Sequence, residues 1–351
     1  MKGILEQIGL ALLHKLPPEA AHNLSLHLLR LGLAHNPGPI NKPCLSTIVA
    51  GLEFINPVGL AAGYDKNAEA LSILSRMGFG FIEVGAATPK PQSGNLKPRL
   101  FRLDEDKAVI NNMGFNNIGM ALIVERLKMQ KRIIPVGLNL GANKESKKKS
   151  EDYSRVLECC GSTVDFVTVN VSSPNTKDLR DLQSREALSD VMSQVTRTRD
   201  QLKKRPPIFL KIAPDLNEQQ LVDIANVSEL YNVDAIIATN TTLSREGLTS
   251  DLKSKTGGLS GQPLFEQSTR ILAKLSTMTD LPLIGVGGVA NAAQAFDKIC
   301  AGASAVQMYT SLVFGGFSLV REIVIGLADL LEENGFDSVS DAIGSRRDEW
   351  L

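Results

Sequence analysis

In Phe166-Val-Thr-Val-Asn170-Val-Ser-Ser-Pro-Asn175, four β-branched or aromatic residues run directly into amides and hydroxyls. A strand with no broad polar face suits a sheet that is covered on both sides. Seven further runs of the same kind occur: Val58-Gly-Leu-Ala61, Phe81-Ile-Glu-Val84, Val136-Gly-Leu-Asn139, Ile208-Phe-Leu-Lys211, Ala235-Ile-Ile-Ala238, Leu283-Ile-Gly-Val286 and Ala305-Val-Gln-Met308. Longer helical patterns separate them. Strands of this type alternating with helices imply a parallel sheet. Eight of them favour closure into a (β/α)8 TIM barrel over an open sheet. The gap between the second and third runs is long. Its segment Thr88 to Asn117 is rich in Pro, Gly and Asn, so a loop or small hairpin is expected there.

Ahead of the barrel stands a different rhythm. Ile4, Leu5, Ile8, Ala11 and Leu12 recur at helical spacing, which predicts a helix from about Lys2 to His14. Pro17-Pro18-Glu19 suits the start of a second helix, since proline is tolerated in a first turn and an acid there complements the dipole. Leu24, Leu28 and Leu31 form its stripe, widened by Leu26, Leu29 and Leu33, and Asn36-Pro-Gly-Pro39 ends it. The expected domains are a short two-helix extension, residues 1–37, and a barrel, residues 38–351.

Composition excludes several classes. With 43% hydrophobic and 22% charged residues the chain is globular, not disordered. Formal net charge is zero, so no global field draws it to nucleic acid. The lysine-rich run from Lys144 to Lys149 is read as a solvated loop. Cys44, Cys159, Cys160 and Cys300 are scattered and contain no C-x-x-C pair. They fit buried thiols in a reducing compartment, and neither a disulfide framework nor an iron–sulfur cluster. No apolar run reaches the ~18 residues of a membrane-spanning helix, and a signal peptide is a poor match.

In such barrels chemistry gathers at the carboxyl ends of the strands. Here those ends read Gly63-Tyr-Asp-Lys66, Asn139, Asn170 to Ser173, Lys211, Thr239-Asn-Thr241, Gly287-Gly288 and Tyr309-Thr310. Glycines after strand seven, the residues after strand eight and Gly257-Gly-Leu-Ser-Gly261 offer backbone N–H groups for a phosphate. No G-x-G-x-x-G follows a first strand, which argues against a Rossmann site. Lys66 and Lys211 would be costly to bury unless paired or working. A cation beside an electron-rich flavin, a Schiff-base nucleophile and a structural ion pair all remain open. Asn111, Asn139, Asn170, Asn175 and Asn240 suit a planar ligand with several carbonyl and N–H groups, because an amide both donates and accepts. A Schiff-base lyase and a non-catalytic nucleotide sensor are the alternatives from other classes.

Longer words carry more: Ala61-Ala-Gly-Tyr-Asp-Lys66, Lys97-Pro-Arg-Leu-Phe-Arg102, Asn112-Met-Gly-Phe-Asn-Asn117, Asn170-Val-Ser-Ser-Pro-Asn-Thr176, Lys211-Ile-Ala-Pro-Asp215, Ala238-Thr-Asn-Thr-Thr242, Thr256-Gly-Gly-Leu-Ser-Gly261 and Gly285-Val-Gly-Gly288. In these words, across nearly the whole barrel, the chain resembles the dihydroorotate dehydrogenases. Members of that family with cysteine as the catalytic base use fumarate or NAD-linked acceptors. Those with serine use quinone and carry an N-terminal helical extension. Ser173 and the two helices both place this chain with the quinone-reducing kind.

The resemblance implies FMN as cofactor, contacted by Ala62, Gly63, Tyr64, Asp65, Lys66, Ala86, Asn139, Asn170, Lys211, Thr239, Gly261, Gly288, Tyr309 and Thr310. It implies dihydroorotate against Lys66, Asn111, Asn112, Met113, Gly114, Phe115, Asn170, Asn175, Asn240 and Thr241, with Ser173 as catalytic base. Threonine is usual in the family where Ala86 stands, and arginine is common where Asn112 stands. Ser173 would take a proton from C5 of dihydroorotate while hydride leaves C6 for the flavin, in pyrimidine biosynthesis. Serine is a weak base, so Thr176 and a water near Phe115 are the candidate relay. No metal is expected. The helix pair would dock on the cytoplasmic face of the inner membrane as a peripheral anchor and admit quinone, with capping of the barrel's bottom or side as the competing reading. A monomer is the expected state.

Overall fold

The computed structural model describes residues 3–33, 36–176 and 178–351. Eight parallel strands close into a barrel in sequence order: Val58–Leu60, Phe81–Ala87, Val136–Leu140, Phe166–Asn170, Ile208–Ile212, Ala235–Ala238, Leu283–Val286 and Ala305–Met308. The last strand pairs with the first, Gln307 opposite Gly59. This is the expected (β/α)8 architecture.

The strands close because alternate residues fill the interior in layers. Phe81, Phe166, Phe209, Ala235 and Ala305 form an apolar lower layer, with Phe166 stacked on Phe209 at 4.6 Å. Gly137 makes room for it: a Cβ there would lie 2.1 Å from the Phe166 ring. An antiparallel hairpin, Thr47–Val49 with Leu52–Phe54, plugs the amino-terminal end, and Phe54 stacks on Phe81 at 4.2 Å. The floor is therefore sealed by hydrocarbon, and the open end lies at the strands' carboxyl termini.

The excursion after strand two forms a hairpin, Leu100–Leu103 with Ala108–Asn111. It also recruits a third strand, Gly258–Gly261, with Leu259 opposite Ile110. The glycine-rich segment is thus fixed as a wall of the mouth.

At the amino terminus, helix α1 spans Ile4–His14 and helix α2 spans Pro18–Arg30. The expected start at Lys2 lies outside the described residues. Leu31 and Leu33, expected in the second helix's stripe, fall beyond its end. The pair lies across the open mouth. His14 bonds the Val313 carbonyl at 2.8 Å, Glu6 accepts from the Ser318 N–H at 3.0 Å, and Ser25 meets the Tyr64 hydroxyl at 3.2 Å. Capping of the bottom is therefore not what these helices do. Among the described residues no helix is long and apolar enough to cross a membrane.

All four cysteines are free. Cys160 and Cys300 are buried, but Cys44 and Cys159 are half-buried, which corrects the expectation of burial for all four. Cys159 and Cys160 are neighbours on helix Lys149–Cys160, so they point in directions about 100° apart and only one can face the core.

Candidate active site

Strand ends deliver the polar groups. Asn139 is the penultimate residue of strand three and Lys211 of strand five, Asn170 ends strand four, and Thr239 to Thr241 follow strand six. They face one cavity of about 1340 Å³, together with Ala62, Gly63, Tyr64, Lys66, Ala86, Gly261, Gly288, Tyr309 and Thr310. Asn111, Met113, Gly114, Phe115, Asn175 and Ser173 line it as well. A site for one small ligand is about 300–1,000 Å³, so this space exceeds a single occupant. The same cavity continues between the helices, where Leu10, Leu13, Pro18, Ala21 and Leu28 line it.

Two expected side chains stay outside. The Asp65 carboxylate is fully buried and accepts from the Glu69 and Ala70 N–H groups at 2.7 and 2.8 Å, so it shapes the loop behind Lys66. The Asn112 side chain instead accepts from Asn95 at 2.9 Å. Asn95 also donates to the Asn175 carbonyl at 3.0 Å, so this pair braces the loop bearing Ser173.

Ser173 is 6% exposed, and its Oγ accepts from the Asn175 N–H at 3.3 Å. The Thr176 hydroxyl nearby is buried with no partner among the described residues. Lys66 donates to the Gly63 carbonyl at 2.6 Å. Burial lowers its pKa to about 8; Glu19 and Asp65 pull it back up and Arg99 pushes it down. His22 is driven well below the usual imidazole range, by burial first and Lys66 second, so it is neutral at pH 7. Burial also lowers Lys211, and Glu83 opposes the shift. Lys211 has no hydrogen-bond acceptor among the described residues.

The mouth fits a flavin phosphate and ring on its own evidence. Gly288, at φ +75°, lies flush on the helix starting at Phe265, where an added Cβ would come 2.4 Å from the Phe265 Cβ. That leaves bare backbone facing the cavity. Asn175 Oδ1, Thr241 Oγ1 and Gln307 Oε1 are buried without partners, on residues that line the cavity. Together with the unpaired Lys211, they call for a polar planar occupant. No cluster of metal-ligating side chains exists among the described residues.

Two polar residues escaped the sequence reading. Glu83 and Gln307 sit inside apolar strands two and eight, and both are fully buried. The signal was there: a carboxylate and an amide at inward-facing positions of barrel strands need partners.

A TIM barrel with amides, hydroxyls and two lysines gathered at its carboxyl-end mouth is an enzyme scaffold. The sequence pattern of the Dihydroorotate dehydrogenase family matches residues 44–331. The chain belongs to that family of flavin-dependent oxidoreductases. It is 56% identical over 351 residues to a dihydroorotate dehydrogenase (quinone) of Cereibacter sphaeroides, covering 99% of each chain. It is 46% identical to the protein of that name from Agrobacterium fabrum, covering 100% of this chain and 98% of the other. A crystal structure of DHODH from Eimeria tenella in complex with ferulenol superposes with a TM-score of 0.90 at 39% identity, covering 93% of this chain and 95% of that one.

Proposed function

We propose that this chain oxidises (S)-dihydroorotate to orotate and passes the electrons through FMN to a membrane quinone. The observation that carries the reading is the continuity of one cavity from Ser173 and Lys66, past the strand ends, into the apolar cleft between α1 and α2. Bound FMN supplies the two-electron acceptor. Gly261, Gly288, Tyr309 and Thr310 would hold its phosphate end, while Asn139, Lys211 and Thr239 would hold its ring.

The chain's own residues do the rest. Lys66 holds the substrate carboxylate. Asn111, Asn175 and Asn240 fix the pyrimidine's carbonyl and N–H edges, since an amide can serve either. Ser173 accepts the C5 proton and hands it toward Thr176 and water near Phe115, because an isolated serine hydroxyl is too weak a base near neutrality.

Exposed Leu5, Ile8, Leu12 and Leu24 give the helix pair an apolar outer face, Leu5 being 86% exposed. That face suits peripheral docking on the cytoplasmic side of the inner membrane, with quinone entering between the helices. Anaerobic addition of dihydroorotate to the purified holoprotein tests the whole reading. The yellow colour bleaches, and a soluble quinone restores it. A colourless protein, or a colour indifferent to dihydroorotate, contradicts the proposal.

A further inference from the structure

Glu83 lies inside the barrel, fully buried, beneath the mouth. Its two oxygens accept from two amides: Asn139 Nδ2 at 2.6 Å and Gln307 Nε2 at 2.7 Å. The chain of amides continues upward. Asn170 Nδ2 donates to Asn139 Oδ1 at 2.9 Å, and Asn170 Oδ1 accepts from Asn240 at 3.3 Å and from the Ser172 hydroxyl at 3.1 Å.

We propose that Glu83 is a positioning residue whose carboxylate sets the donor and acceptor direction of the amides that meet flavin and substrate. The inference deepens the proposed function and rests on it. An isolated amide can present either end, but a carboxylate only accepts. Both amide NH2 groups must therefore point down at Glu83. The Asn139 carbonyl is then turned to Asn170, whose own NH2 is used on it, and the Asn170 carbonyl is left facing Asn240. Gln307 is turned the same way, so its Oε1 is left buried, unpartnered and bordering the cavity. That oxygen demands an N–H donor from the occupant, which a reduced or oxidised flavin ring carries. Glu83 is also the carboxylate that opposes the burial of Lys211. It thereby sets the net charge beside the ring.

Glu83→Gln tests this, because glutamine keeps the shape but replaces one acceptor oxygen with a donor. One neighbouring amide must flip or lose its bond, and an unsatisfied buried group is worth about tenfold in affinity. The expected results are orotate affinity weakened about tenfold and a bound-flavin midpoint potential more positive than wild type, because a negative charge beside the ring is removed. Glu83→Asp keeps the charge and restores the potential. Should the glutamine variant fail to fold, the aspartate variant decides on orotate affinity: its carboxylate, one methylene shorter, releases at least one of the two amides, so affinity weakened about tenfold supports the assignment, and wild-type affinity overturns it. A Glu83→Gln protein with wild-type orotate affinity and potential overturns this inference alone. A wild-type protein binding neither flavin nor orotate overturns the reading of the site as well.

Discussion

Glu19 on α2 grips Arg99 in the excursion: Oε1 stands 2.8 Å from the guanidinium Nη2, and Arg99 is buried. Arg99 also donates to the Ser93 and Asn95 carbonyls at 2.5 and 2.9 Å. The helix pair is therefore fastened to the same loop that braces Ser173 through Asn95. Glu19 is half-buried and Arg99 keeps its two loop carbonyls, so breaking the pair costs about 1 to 2 kcal/mol. Glu19→Ala lowers the melting temperature and exposes the helix pair to limited proteolysis ahead of the barrel. A variant melting and cleaving like wild type would show that this pair does not hold the helices.

Deleting residues 1–36 separates the two halves of the reaction. The barrel's Ser173, Lys66 and amides remain, so dihydroorotate still bleaches the flavin, though the Ser173 loop loses its tie to Glu19. Quinone reduction falls at least tenfold, because the apolar cleft of the cavity is gone. Equal loss of both activities would favour a purely structural helix pair.

Lys66 predicts a pH dependence of ligand binding. Burial holds its ammonium at about 8 in the free protein. The cation binds a carboxylate, so affinity is full below that pH and is lost as pH rises through it. Orotate Kd measured by flavin difference spectra is flat to pH 7.5. It then climbs, approaching about tenfold per pH unit, until the complex's own, higher pKa is reached. A Kd unchanged between pH 7 and 10 would remove Lys66 from carboxylate binding.

Gly288→Ala forces a Cβ to within 2.4 Å of Phe265 at a backbone conformation that L residues rarely adopt. The loop must move away from the phosphate end. The variant retains FMN at least tenfold less tightly in ultrafiltration, and wild-type retention would place the phosphate elsewhere.

The barrel was legible because each strand announces itself over four residues. The boundaries at Ala235–Ala238, Leu283–Val286 and Ala305–Met308 coincide with the expected ones. Strand two runs on to Ala87, past the expected Val84, because it keeps pairing with strand three as far as Leu140 through a register shift. The pairing of Leu259 with Ile110 was hidden, since partners so far apart in the chain share no local pattern. Glu83 and Gln307 were overlooked for a related reason: in strands buried on both faces, polarity at one inward position does not disturb the apolar run. The tail, residues 337–351, shows no helical or strand period; it folds as two short helical segments, Val339–Ala342 and Arg347–Trp350, and sets Trp350 edge-on to Phe265 at 5.9 Å.

The central claim is that Ser173 faces the reacting carbon of a substrate lying against the flavin. Stopped-flow bleaching of wild type and Ser173→Ala at pH 7 under anaerobic dihydroorotate measures that step alone. The alanine variant, still yellow and still binding orotate, reduces its flavin about 10²- to 10⁴-fold more slowly, the usual contribution of a positioned base. An undiminished rate would contradict the account.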